Sequence, residues 1–205
     1  MIKVKICGIT NLEDALASVE AGCQAIGFVF YRGSCRYIDP RKAAAISRNL
    51  PKYVSKIGVF VNAPKRRVEH IAKFCGLDIL QFHGEETPKY CSSFKKYKIV
   101  KSFRIKDGIS KEDLLKYKPF AYLFDSFTHN QVGGSGKKFD WKLIRHLSGL
   151  SQPIFLAGGL NAQNVKEAIR VVHPAWVDAC SSIEVSPGKK DHAKIREFIR
   201  AVRKS

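Results

Sequence analysis

A thiol, a guanidinium, an imidazole and two carboxylates each stand at, or just past, the end of a short apolar run in this 205-residue chain. Cys7-Gly8 closes the first run, Ser34-Cys35-Arg36-Tyr37 follows the second, and Gln81-Phe82-His83-Gly84 closes the fourth. Asp125-Ser126 and Asp178 close the sixth and the eighth. Thiols, imidazoles and carboxylates give and take protons, and a guanidinium grips an anion with two parallel bonds. Gly158-Gly159 and Ser181-Ser182 follow the seventh and eighth runs. Small residues there let backbone N–H groups close on a phosphate.

These groups act together only if the fold gathers them. The apolar, β-branched runs are residues 2–7, 25–30, 54–61, 78–82, 99–103, 120–125, 153–157 and 175–178, each followed by turn residues and a helical pattern. Thr10-Asn11-Leu12-Glu13 opens the first helix, with Leu12, Ala15, Leu16 and Val19 at helical spacing. Asp39-Pro40, Asn62-Ala63-Pro64 and Thr87-Pro88 predict capped starts with proline near the first helical position. Ser110, Asp140 and Asn161 predict the next three caps. Lys190-Asp191 opens the last helix, striped by Ile195, Phe198, Ile199 and Val202.

Strict strand–helix alternation implies a parallel sheet, because each strand must return by a crossover. An open doubly wound sheet would satisfy that rule. Eight units, however, is the count at which such a sheet closes, so the expected fold is α/β, a single (β/α)8 TIM barrel over residues 1–205 with outer helices. Its active site would lie at the C-terminal strand ends, where the reactive groups stand, and the loops after strands seven and eight would cradle phosphate. Gly133-Gly134-Ser135-Gly136-Lys137 resembles a nucleotide loop, but Gln131 and Lys138 occupy positions where that motif needs glycine and Ser/Thr. A flap between the sixth strand and helix is expected there instead.

Composition narrows the classes. Apolar residues make up 45% and charged residues 26%, a globular balance, and no run reaches the ~18 apolar residues of a membrane span. The opening residues lack a signal-peptide core, so a cytoplasmic protein is expected. Lys and Arg number 36 against 18 Asp and Glu, giving +18 and raising nucleic acid as a partner. By successive fifties the basic residues number 7, 10, 10 and then 9 in the last fifty-five, so no segment concentrates them. With no aromatic-interleaved stripe or known motif, no specific nucleic-acid partner is expected. Six cysteines include no C-x-x-C pair, which points away from a zinc site and from a disulfide framework.

The motifs together resemble one family. Lys3-Val4-Lys5-Ile6-Cys7-Gly8-Ile9-Thr10, Gly27-Phe28-Val29-Phe30 with residues 34–38, and residues 81–86 are similar to phosphoribosylanthranilate isomerases. So are Asp125 with residues 133–141, residues 156–165, and Pro187-Gly188-Lys189-Lys190-Asp191, which extends the likeness from residue 2 to about 200. The resemblance implies a (β/α)8 barrel that isomerises N-(5′-phosphoribosyl)anthranilate to the deoxyribulose product in tryptophan synthesis. It implies Cys7 as general base and Asp125 as general acid, a division of labour that needs no metal and no cofactor. The implied partner is a small anionic phosphosugar-anthranilate substrate, with the chain a monomer or homodimer. Arg36, Gln81, His83 and Asp178 would bind that substrate, and Gly158, Gly159, Ser181 and Ser182 its phosphate.

The residues add physical expectations. A thiol of pKa ~8.5 must be shifted down to act as a base, and period-two alternation puts Lys5 on the lumen face one layer below Cys7. Lys5 either lowers the Cys7 pKa or pairs with Asp178 or Asp125. Ala121 and Leu123 share the face of Asp125, and an apolar stack favours the neutral carboxyl that a general acid needs. His83 is either a satisfied rim histidine or a donor to the anthranilate carboxylate, for which the Arg36 fork is better shaped. The five cysteines other than Cys7, together with Trp141 and Trp176, are read as core. The family pattern small-Ser-Ser-Gly-Val-Glu reads here Ala179-Cys180-Ser181-Ser182-Ile183-Glu184. Ser182 in place of glycine would be strained if its φ were positive. A phosphosugar barrel of other chemistry and a basic binding protein are the competing readings.

Overall fold

The computed structural model describes residues 1–106, 108–126, 140–147 and 149–205. Eight parallel strands run around one closed barrel: β1 (Lys3–Cys7), β2 (Ala25–Val29), β3 (Ser55–Phe60), β4 (Ile79–Phe82), β5 (Lys98–Ile105), β6 (Ala121–Ser126), β7 (Ile154–Leu156) and β8 (Trp176–Ala179). Each pairs with the next, and β8 returns to β1 with Lys5 level with Asp178. All eight expected strands are present and the doubly wound alternative is excluded by that closing pair.

Helices α1 (Leu12–Ala21), α2 (Pro40–Arg48), α3 (Lys65–Cys75), α4 (Pro88–Ser92), α5 (Lys111–Leu115), α6 (Val165–Val172) and α7 (His192–Arg203) wrap the outside. Asn11, Asp39, Thr87, Ser110 and Asp191 accept backbone N–H bonds at the starts of α1, α2, α4, α5 and α7, as their residue types predict. Three expectations need correction. Asn62 does not cap α3; it turns to φ +48 and its carboxamide oxygen accepts the Glu85 N–H instead. Asn161 caps a turn ahead of α6, whose first residue comes four later. Behind Asp140 stands a 3₁₀ helix, Trp141–Leu147, instead of an α-helix. The glycine-rich stretch 133–137 lies outside the described residues. Past β8, a 3₁₀ turn (Ser181–Ile183) leads into a small antiparallel hairpin of β9 (Glu184–Ser186) and β10 (Lys189–Lys190). Among the described residues no helix is long and apolar enough to cross a membrane.

Alternation divides the strand residues into two shells. Val4, Ile6, Ile26, Phe28, Leu80, Phe82, Tyr122, Phe124 and Val177 face outward and pack under the helices. The other face turns into the lumen, where Ala25, Ile57, Ile79, Val100, Ala121, Leu123, Phe155 and Trp176 make a dry floor. Phe155 and Trp176 stack there with ring centroids 4.7 Å apart, and both tryptophans are buried as read. Above that floor β2 must give way. A methyl group at Gly27 would lie 2.8 Å from Cys7 Sγ and 3.1 Å from Lys5 Cε, so only glycine leaves room for both side chains. Gly27→Ala is therefore expected to lower stability by about 1–3 kcal/mol through overpacking. Urea unfolding checks this, and an unchanged midpoint would show that the neighbouring side chains relax freely.

Candidate active site

Strand direction brings the reactive ends to one rim, where a cleft of about 730 Å³, part of it open to solvent, is lined by Cys7, Arg36, Gln81, His83, Asp125 and Asp178. The same cleft is bounded by residues 157–160 and by Cys180, Ser181 and Ser182. Every candidate site residue read from the sequence therefore borders one space.

Its deepest polar element is an ion pair. Lys5 is completely buried, and its Nζ donates to Asp178 Oδ2 at 2.5 Å. Burial alone would drive the ammonium toward neutrality, but the Asp178 carboxylate overrides it and holds Lys5 protonated above its ordinary range. Burial pushes Asp178 up to about 7, against the pull of Lys5. Asp178 Oδ1 is buried without a hydrogen-bond partner at the edge of the cleft. Of the partners open to Lys5, the structure selects Asp178.

Cys7 sits one layer above. Lys5 does pull the Cys7 thiol down, as one of the two readings had it, but the Cys180 thiol beside it and burial outweigh that pull and raise Cys7 well above its ordinary value. Cys180, read as a core thiol, is the residue that sequence reasoning missed; it is only partly buried and lines the cleft. The signal was present, because Cys180 follows Asp178 by two and period-two alternation carries it to the same face. Cys23, Cys75 and Cys91 are buried, as read, whereas Cys35 is exposed.

Across the cleft, Asp125 Oδ1 accepts the Ser126 N–H at 2.7 Å, and Oδ2 lies 3.4 Å from His83 Nε2. The Gln81 amide meets His83 Nδ1 at 3.0 Å, which assigns the ring proton to Nε2, on the Asp125 side. His83 is thus oriented by Gln81 with its donor turned toward the cleft. Arg36 is committed along one edge: Nε and Nη2 reach the Glu184 carboxylate at 2.9 and 2.7 Å. Nη1 reaches Cys35 Sγ at 3.5 Å, and the end-on edge, Nη1 with the second Nη2 hydrogen, is the one Glu184 does not take. Glu184 also accepts from the buried Lys190 Nζ at 2.8 Å. Although burial opposes ionisation, these two cations hold Glu184 below its ordinary value.

The two small-residue loops meet at the opposite end. Gly158 has φ +86 and Gly159 φ +64, and a Cβ on Gly158 would lie 2.7 Å from the Ser126 nitrogen. Ser182, by contrast, carries no positive-φ strain: the described non-glycine residues at positive φ are Asn62 and His173. It lies in the 3₁₀ turn, and its hydroxyl donates to the Leu160 carbonyl, tying the two loops together.

Residues 4–201 match the family model described as N-(5′phosphoribosyl)anthranilate (PRA) isomerase. The N-(5′-phosphoribosyl)anthranilate isomerase of Pelobacter propionicus is 47% identical over 205 residues, covering 100% of this chain and 97% of that one. The Thermotoga maritima enzyme is 45% identical over 201 residues, covering 98% of each. A crystal structure of phosphoribosyl anthranilate isomerase from Thermotoga maritima superposes with a TM-score of 0.90 at 41% identity, covering 100% of both chains. A structure of such an isomerase in complex with reduced 1-(o-carboxyphenylamino)-1-deoxyribulose 5-phosphate gives 0.87 at 39%, again over 100% of both chains.

The buried pair makes stability depend on pH in a defined direction. A carboxyl raised in the folded state binds more protons folded than unfolded, so stability falls as pH rises from the ordinary carboxyl range through about 7. Lys5→Met removes the cation that opposes this shift. The variant is expected to lose about 3–5 kcal/mol at alkaline pH, where Asp178 is a buried unpaired charge, and to regain part of that near pH 5. Melting temperatures across pH test it; a variant equally unstable at both extremes would mean that Asp178 does not control the loss.

Proposed function

The chain belongs to the N-(5′-phosphoribosyl)anthranilate isomerase family, and on that premise we propose what each rim residue does in its reaction. It is an isomerase of tryptophan biosynthesis, converting N-(5′-phosphoribosyl)anthranilate to 1-(2-carboxyphenylamino)-1-deoxyribulose 5-phosphate. The observation that carries the residue assignment is that the Cys7 thiol and the Asp125 carboxyl, each at the end of a barrel strand, border the same cleft whose far end is the tied pair of small-residue loops.

The phosphate lies between the backbone of Gly158-Gly159 and that of Ser181-Ser182, and the anthranilate carboxylate lies against the end-on edge of Arg36. Asp178 Oδ1 accepts from a ribose hydroxyl, which supplies the partner this buried oxygen lacks. Asp125 gives its proton to the furanose ring oxygen as the C1′–O bond breaks and the nitrogen lone pair forms C1′=N. His83, held by Gln81, steadies Asp125 and then its carboxylate. Cys7 takes the C2′ proton, and the freed electron pair forms C1′=C2′ while the nitrogen becomes neutral. The enolamine ketonises when C1′ receives a proton and the C2′ hydroxyl loses one. A biosynthetic isomerase of this kind fits the cytoplasmic placement read from the sequence.

Cys7→Ala and Asp125→Asn are each expected to lower kcat by at least ~10²-fold, the usual worth of a general acid or base, with a small change in KM. Turnover close to that of the unaltered enzyme in either variant would remove that residue from its role. Ser182→Ala loses the tie to Leu160 but keeps the backbone N–H groups. Its KM is expected to rise by less than ~tenfold, equivalent to ~1.4 kcal/mol, with kcat nearly constant. A collapse of kcat there would place Ser182 in the chemistry and not in phosphate binding.

A further inference from the structure

A base must be free of its own proton before it can take another, and Cys7 is poorly placed to ionise alone. The cation beneath it, Lys5, is already answered by Asp178 at 2.5 Å. Cys180 is placed differently. β1 and β8 pair through Ile6 and Ala179, and the next residue on each strand is a cysteine, so the two free thiols come side by side, Cys180 packing against the cluster that holds Cys7. Lys190 Nζ, from β10, lies 3.8 Å from Cys180 Sγ. Arg36, after β2, stands on the same side, its aliphatic stem and Cys180 Sγ both crowding Gly8. Both cations share a single carboxylate, Glu184, which leaves a surplus positive charge beside Cys180. Asp125 and His83 face the thiols from across the cleft.

We propose that Cys180 is a positioning residue for the isomerisation: the two thiols share one proton, and Cys180, as the thiolate partner, accepts the Cys7 proton when Cys7 takes the C2′ proton of the substrate. This rests on Cys7 being the base. The Cys7 S–H bond breaks and its proton moves to Cys180 Sγ. The C2′–H bond breaks, its proton moves to Cys7 Sγ, and its electron pair becomes the C1′=C2′ bond. The negative charge of the thiol pair disappears as the positive charge on nitrogen does, so the cleft ends the step with no net change. On ketonisation Cys7 delivers a proton to C1′ and Cys180 returns one to Cys7, while the C2′ hydroxyl proton restores Asp125. The ionisation of Cys180 suits it to this role, because its bond from Cys7, together with Lys190 and Arg36, holds it down to about 7 against burial.

The test is the pH dependence of kcat in the unaltered enzyme, Cys180→Ser and Cys180→Ala, with thiolate absorbance titrated in parallel. The unaltered enzyme should gain activity and one thiolate near pH 7. In both variants the thiolate step should vanish, the activity limb should move up by about one pH unit or more, and kcat at neutral pH should fall about tenfold or more. Activity should return at higher pH, where Cys7 ionises unaided, with KM little changed. An unshifted limb would assign it to Asp178 and overturn the proposal. So would a loss of kcat that is uniform at every pH, which would mark a purely structural role. Cys7→Ala separates the two levels: if it keeps its turnover the base assignment itself falls, whereas an inactive Cys7→Ala beside an unshifted Cys180→Ser defeats only the shared proton.

Discussion

The Lys5–Asp178 pair sits where β1 closes onto β8, and the layout of the rim depends on it. Removing two charges from water costs several kcal/mol per ion, and their attraction in the interior recovers that only with good geometry. Such a pair is therefore a weak source of net stability. What it supplies is position. Lys5 is level with Asp178 in the strand pairing, so Cys7 and Cys180, two residues further on, are carried to one height above the dry floor. A slip of one residue between these strands would turn Lys5 outward and put an apolar side chain under the cleft. The bond from Nζ to Oδ2 also leaves Oδ1 without a partner, so the pair that fixes the register also aims one acceptor at the site.

The same arrangement recurs around the rim. Lys190 and Arg36 converge on Glu184, and Lys101 meets Glu86 at 3.0 Å. Glu86 also accepts the backbone N–H groups of Asn62 and Gly84, and Lys101 donates to the Gly84 carbonyl at 2.6 Å, which pins the loop that carries His83. Each of these buried cations has a carboxylate within hydrogen-bond reach. Among the described residues most other Lys and Arg side chains lie toward solvent, where water screens them, so the buried pairs are the charges that act at short range on the cleft.

Strand order, barrel closure and the site's location followed from alternation and spacing, because a parallel strand repeats every two residues and must return through a helix. The lumen position of Lys5 below Cys7 and the apolar stack under Asp125 were legible for the same reason. What escaped were relations between distant segments. The choice of Asp178 over Asp125 as the partner of Lys5 depends on which strands close the barrel. Commitment of one Arg36 edge to Glu184 depends on a hairpin 148 residues away in the chain. Cys180 was misread although its register was legible, because a free cysteine is by default a small apolar side chain, and only Lys190, Arg36 and Cys7 together make it otherwise. Asn62 was misjudged locally: a residue that tolerates left-handed backbone can cap a helix or turn away from it, and the Glu85 N–H decided between them.

Ser182 shows how a departure from a family pattern can be absorbed. A glycine in that place offers free backbone geometry and nothing else. Serine would be penalised by ~1 kcal/mol or more in left-handed backbone, yet the 3₁₀ turn here does not require that conformation. The penalty is therefore absent, and the hydroxyl gains a bond to Leu160 worth ~0.5–1.5 kcal/mol. That bond draws the loop after β8 onto the loop after β7, whose Gly158 already packs too closely on Ser126 to bear a side chain. The two segments proposed to cradle the phosphate are thus held together by the chain itself. Ordering them in advance reduces the conformational entropy that binding would otherwise have to overcome, so in the proposed site the serine would act on phosphate affinity through the shape of the cradle, without needing to touch the phosphate with its side chain.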